Sequence, residues 1–357
     1  MPDTSMPNVV QTASVPPIII QQMPPQPFWI RRWFVRVLMV TLIFSLLYCM
    51  RLNSEYREYF DNGVSPSEHF HSGNEQSDDK IALINVSGTI MPPFTEQLLS
   101  AIKRAKEDEQ VKGIVLVIDS PGGLVADSHQ IYEKLKKLRE TKPIFVSMKR
   151  MAASGGVYIA MGCGEAGKIF AEPTTWTGSI GVIIPRYDAS ELATKFGVKT
   201  DSLKTGEFKD SLDPLRPLSE RDKELWGRIL DESFQRFLKI IDDNRKSLDA
   251  AQVKELATGQ LFTAEEAKAN GLIDEIGDEE AAIEALKTQL GLKEVRIVEY
   301  NFPASLMNLL LGSAQAHDPD VQFRKLLEMS VPRAMYFCGS VPPPFLLWRS
   351  VETNFVK

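Results

Sequence analysis

The chain has 357 residues, 43% of them hydrophobic, and its 41 basic and 47 acidic side chains leave a net charge of −6. That length buries a sizeable core in two or three domains at most, and the mild acidity gives no basis for a nucleic-acid-binding surface. The three cysteines (Cys49, Cys163 and Cys338) are isolated and no His/Glu cluster has ligand spacing, so neither a disulfide framework nor a metal site is expected.

Residues 1–30 are rich in Pro and Gln and read as a disordered segment that cannot bury a core. Residues 31–51 follow as a candidate transmembrane anchor: Arg31, Arg32 and Arg36 precede the uncharged stretch Val37 to Met50, which Arg51 ends. As a helix that stretch spans only about 21 Å, against a hydrocarbon core of ~30 Å. Counted from Trp33, with Arg36 reaching back to the interface, the span grows to roughly 27 Å. A cleaved signal peptide has a similar outline, but no small-Xaa-small site follows Met50 and Leu46-Leu-Tyr-Cys49 lacks the small residues of a lipoprotein signal. An uncleaved single-pass anchor is the preferred reading, and the excess of arginine before it puts the N-terminus in the cytoplasm and the rest of the chain outside.

Residues 52–79 read as a polar linker, and Ile81 to Val86 begins the first strand of a domain over 80–300. A helix is predicted near Glu96 to Asp108, a strand from Gly113 to Ile118, a helix near Leu124 to Glu140 and a strand from Pro143. This alternation argues for α/β units joined by right-handed crossovers, with the turns gathered on one side. Further on, Ser219 and Asp222 form a capping box ahead of a long amphipathic helix, and Thr263 and Glu266 cap a shorter one. Residues 301–357 form a tail with two apolar runs, Leu306 to Leu311 and Pro342 to Trp348, that fit membrane, subunit or substrate-like contacts equally well.

Two segments carry chemistry. Met151-Ala-Ala-Ser154-Gly155-Gly156 places a serine among small residues just before an apolar run that reads as a buried helix. Downstream, Gly206-Glu-Phe-Lys209-Asp210 supplies a lysine, with no histidine between them. A serine hydroxyl becomes a good nucleophile when a base takes its proton, and an uncharged lysine amine can be that base. Free lysine is almost wholly protonated at neutral pH, so burial and hydroxyl hydrogen bonds must favour the neutral amine. Ser179, in Thr177-Gly-Ser179, is the candidate orienting partner. Backbone N–H groups of Gly155 and of Gly123, in the turn Ser120-Pro-Gly122-Gly123, are candidate donors to a developing oxyanion.

These motifs, in order with Gly259-Gln-Leu-Phe-Thr-Ala-Glu-Glu-Ala267 and Asn270-Gly-Leu-Ile-Asp274, resemble the signal peptide peptidase A family of serine peptidases over about residues 80–300. The resemblance implies Ser154 as nucleophile, Lys209 as general base, Gly123 and Gly155 as the oxyanion hole and Ser179 as the lysine's partner. Lys204 is the competing base. It also implies a crotonase-like, Clp-peptidase-like spiral of β-β-α units, no cofactor, and a homo-oligomer whose sites combine the serine and lysine of adjacent subunits. The implied substrates are signal peptides left after preprotein processing, or other extended apolar peptides, cut at a bacterial inner membrane with the catalytic domain periplasmic.

Clp peptidases need a histidine after the nucleophile, and between His129 and His317 there is none. A non-enzymatic membrane scaffold and a crotonase-type acyl-CoA enzyme are the two alternative readings. The first predicts an unreactive Ser154 and the second an activity independent of it.

Overall fold

A computed structural model describes residues 33, 35–49, 66–302 and 334–337. The chain divides into two compact units, Met1–Arg57 and Glu58–Lys357. In the first, residues 35–49 form helix α1, with apolar side chains such as Leu42, Phe44 and Leu47 exposed. Among the described residues no helix is long and apolar enough to cross a membrane. The anchor expected over 31–51 extends beyond the described residues, and the Pro/Gln-rich segment 1–30 lies outside them.

The second unit begins with strands β1 (Ser67–Gly73) and β2 (Lys80–Ser87), then α2 (Phe94–Glu107), β3 (Val111–Ser120), β4 (Gly122–Leu124) and α3 (Val125–Leu138). Next come β5 (Ile144–Ala153), α4 (Gly155–Ala160), β6 (Ile169–Ala171), β7 (Trp176–Gly178) and the short α5 (Ser190–Lys195). The long α6 (Glu220–Asn244), α7 (Ala250–Leu256), β8 (Leu261–Thr263), α8 (Ala264–Ala269), β9 (Glu275–Ile276), α9 (Glu279–Leu290) and β10 (Arg296–Asn301) complete the domain, and β11 (Met335–Phe337) is added from the tail.

The main sheet runs β1-β10-β2-β3-β5-β6-β9, with β7 and β8 branching from β5, and every pairing along that order is parallel except that of edge strand β1 with β10. β2, β3 and β5 are almost continuous apolar runs because both faces are covered, as a parallel sheet requires. Alternate residues divide between the two faces. Ile84, Ile114, Leu116 and Val146 share a core with Leu98, Leu135 and Tyr158 of the helices on one side, while Ile81, Val115 and Phe145 meet Ile283 and Leu286 of α9 on the other.

β5 has two successive partners: Val146 to Met148 pair with β6, and Met151 to Ala153 pair with β7, which continues antiparallel to β8. The sheet therefore splits at the end of β5, where the serine motif begins.

Both expected capping boxes are present, at Ser219/Asp222 and at Thr263/Glu266. Two expectations are corrected. The polar stretch 52–79 does not stay a linker, because Ser67–Gly73 forms β1. An edge strand with one exposed face has no need of an apolar run, and Lys80 anchors it by reaching Glu68 at 2.9 Å and Asp108 at 3.0 Å. Nor is 301–357 wholly a tail outside the domain: Met335–Phe337 pairs antiparallel with β4, and Tyr336 is fully buried.

Candidate active site

Ser154 stands where β5 hands the chain to α4. Its backbone takes φ 54° and ψ −108°, in the half of conformational space that side-chain-bearing residues avoid. Two hydrogen bonds hold it there: its N–H donates to the Gly178 carbonyl at 2.8 Å, and its carbonyl accepts from the Tyr158 N–H at 2.9 Å. The residue is only 1% exposed, yet its Oγ has no hydrogen-bond partner. A buried hydroxyl left unpaired costs about 1–3 kcal/mol, which together with the strained turn singles Ser154 out as a candidate functional position.

The two candidate donor glycines lie side by side. A Cβ built on Gly155 would come within 3.1 Å of the Gly123 nitrogen and 2.8 Å of Ser128 Oγ, itself buried and unpartnered. Gly123 is required for a different reason: a Cβ there would lie 2.0 Å from the Ile90 carbonyl oxygen. That close approach comes from Ile90 bonding both sides of the turn, donating to the Gly122 carbonyl at 2.9 Å and accepting from Leu124 N–H at 2.8 Å. Gly122 adds φ 100°, which glycine adopts without strain.

The lysines separate clearly. Lys204 Nζ is bound by the Asp210 carboxylate at 2.7 and 2.9 Å. That bond and Arg216 nearby hold the Asp210 carboxyl below its ordinary range. The Lys204 nitrogen is thus occupied by that carboxylate and makes no hydrogen bond to Ser154 Oγ. Lys209 lies on an exposed 3-10 turn, Glu207–Asp210, and no hydrogen bond joins it to Ser154 or Ser179 within the chain. Ser179 takes φ 50° and is buried, with its N–H donating to the Gln260 carbonyl at 2.6 Å. Ser154, Gly123 and Gly155 are thus brought together in one chain, and Lys209 is presented outward.

Competing groups are occupied. His129 Nδ1 lies 2.9 Å from the Tyr158 hydroxyl, and burial pushes its pKa down. It is a side chain packed behind the serine turn, with no hydrogen bond to Ser154. Burial pushes the Cys163 thiol up to about 12, leaving it an inert core residue. Among the described residues no group of acidic, histidine and cysteine side chains is arranged to hold a metal ion. A cleft of about 960 Å³ lined by His71, Lys149, Glu172 and Glu279 contains none of the site residues.

Residues 136–293 match the model of peptidase family S49, and residues 78–178 match that of Clp protease. A protein of Enterococcus faecium named as a signal peptide peptidase SppA is 30% identical over 345 residues, which cover 87% of this chain and 99% of the relative. The chain belongs to peptidase family S49. A Synechocystis protease is 37% identical over 235 residues, 65% of this chain and 83% of its own, and the chloroplastic serine protease SPPA of Arabidopsis thaliana is 34% identical over 250 residues, 66% and 36%. The S49 chain described here is a serine peptidase with a Clp-protease-like α/β fold.

Sequence reasoning passed over the aromatic group around Tyr158, which includes Tyr132, Phe237 and Tyr336. Tyr158 lay inside the apolar run already read as helix. Tyr336 lay in a short run, Met335-Tyr-Phe337, with too few residues to show a period.

Proposed function

We propose that the protein is a membrane-anchored endopeptidase working by a Ser/Lys dyad, with Ser154 as nucleophile and Lys209 of a neighbouring subunit as general base. The observation that carries this reading is the sealed Ser154 Oγ, unpartnered in its own chain and beside two glycine amides, while Lys209 faces outward and Lys204 is engaged by Asp210. Ser154 attacks the substrate carbonyl and passes its proton to the uncharged amine. Gly123 and Gly155 N–H groups donate to the oxyanion, the amine protonates the leaving nitrogen, and water activated by the same amine releases the acyl group. In this reading Ser179, one residue beyond Gly178, holds the incoming amine.

The proposed substrates are extended apolar peptides, signal peptides released from preproteins among them, since β4 next to the serine pairs with an extended segment and a relative is named a signal peptide peptidase. In this reading residues 80–300 are the peptidase domain, residues 31–51 anchor it to a bacterial inner membrane with the N-terminus cytoplasmic, and the domain works on the periplasmic side as a homo-oligomer. Hydrolysis of a fluorogenic apolar peptide tests the chemistry. Ser154→Ala, Lys209→Ala and Lys209→Arg are each expected to lose about 10⁴-fold or more in kcat, because an arginine cannot give up its proton. Substantial activity in Lys209→Arg would refute the base assignment.

A further inference from the structure

In the turn Glu207–Asp210 every side chain but that of Lys209 is held. Before it, the Glu207 carboxylate lies 2.7 Å from Arg221, and the same guanidinium sits over the Phe208 ring, 5.6 Å from its centre. After it, the Asp210 carboxylate accepts from Lys204 at 2.7 and 2.9 Å and lies 3.2 Å from Arg216, whose Nε donates to the Asp210 carbonyl at 2.9 Å. The next side chain is tied as well: the buried Ser211 hydroxyl accepts from the Trp226 ring N–H at 2.9 Å. Arg221 and Trp226 lie on the first two turns of α6, and Arg216 is bound to Asp222 there. Among the described residues no hydrogen bond or ion pair engages the Lys209 side chain.

The outer ties are too exposed to add much to folding, since the Arg221 side chain is 69% and that of Glu207 47% exposed. What they fix is geometry. With its neighbours anchored on both sides, the backbone at Lys209 cannot swing, and the freedom left to the amine is that of its own side-chain torsions. A base delivered to a hydroxyl on another chain needs this restraint. Proton transfer requires the nitrogen within about 3 Å of the hydroxyl, and a displacement of about 1 Å can cost on the order of 100-fold in rate.

We propose that Asp210, braced by Lys204 and Arg216, is a positioning residue for the reaction: it fixes the turn that carries Lys209 and so sets where the amine arrives at Ser154. The inference rests on the Ser154/Lys209 reading above. Lys204 acts here as a cation on Asp210, a role that needs charge and N–H donors but no removable proton. Arg221 braces the other side of the turn through Glu207 and Phe208.

Steady-state hydrolysis of the fluorogenic peptide by the full chain tests this. Asp210→Asn and Lys204→Met are each expected to lose about 10- to 100-fold in kcat with KM unchanged within about twofold. Both should keep the wild-type oligomeric state and a thermal midpoint within about 4 °C of wild type. Lys204→Arg should keep at least about half the wild-type kcat, where Lys209→Arg is inactive, because arginine supplies the cation but releases no proton. Mixed subunits separate positioning from a general loss of structure. A chain carrying both Ser154→Ala and Asp210→Asn, reassembled with Lys209→Ala chains, has the weakened turn on the subunit that supplies the lysine. It should regain at most about a tenth of the activity of the single-variant mixture, whereas moving Asp210→Asn onto the Lys209→Ala chain should cost nothing further. Equal loss in the two arrangements, or a wild-type kcat in Asp210→Asn, overturns the inference and leaves the dyad standing. Substantial activity in Lys209→Arg overturns both. A single-variant mixture that regains nothing refutes the shared site instead, and the kcat of Asp210→Asn still decides whether Asp210 positions the lysine.

Discussion

At Ser154 a φ of 54° and a buried, unpaired hydroxyl each cost stability, the backbone alone on the order of 1–3 kcal/mol. The bonds to Gly178 and Tyr158 hold the residue in place, so its backbone is fixed before any substrate arrives, as the proposed role of nucleophile requires. The adjacent glycines differ in what they tolerate. Gly123→Ala drives a methyl group to 2.0 Å from the Ile90 oxygen, a backbone atom that cannot step aside, whereas a Cβ on Gly156 meets nothing nearer than the Ser120 oxygen at 3.3 Å. Thermal unfolding is expected to show Gly123→Ala destabilised by at least about 3 kcal/mol and Gly156→Ala by far less. Equal stability of the two variants would contradict this account of the turn. Ser154, Gly155 and Gly123 were legible in sequence because small-residue motifs leave a local signature. The engagement of Lys204 by Asp210 was not, because that bond depends on how an irregular loop folds.

The loop that carries Lys209 is tied to the start of α6. Arg216 donates to Asp222 at 2.8 and 3.2 Å, and Ser219 donates to the same carboxylate through its N–H at 2.9 Å and its hydroxyl at 2.7 Å. Arg216 above all, with Ser219, holds the Asp222 carboxyl well below the ordinary carboxylate range. A carboxyl whose pKa is lowered by folding adds stability that is fully present above its unfolded value near ~3.9 and disappears as pH falls below that. Asp222→Asn should therefore cost about 1–3 kcal/mol at neutral pH, with the gap to wild type narrowing below about pH 4. Denaturant unfolding across that range checks it, and a gap independent of pH would exclude the ionic part of the argument. The capping boxes and the α/β order could be read directly because caps and hydrophobic periods are local. β1 and β11 were missed for opposite reasons: the first is a polar edge strand, and the second is three residues whose place comes from β4 and Ile183 rather than from their own pattern.

Across the whole molecule, the main division is between what one chain completes and what it leaves open. One chain completes the sheet, the serine turn and the paired glycines, and it displays Lys209 on an exposed turn with no tie to its own serine. An assembly that sets this turn over the next chain's serine would close each site and make activity depend on association. Mixing Ser154→Ala with Lys209→Ala subunits, unfolding and reassembling them together, and assaying the fluorogenic peptide tests this most directly. Each variant alone is inactive, and random mixing at equal amounts in a ring should restore about a quarter of the wild-type activity, because a Lys209→Ala chain supplies the serine and its Ser154→Ala neighbour the lysine. A mixture that stays as inactive as its components, under conditions where wild type regains activity, would show that serine and lysine must come from the same chain and would contradict the account.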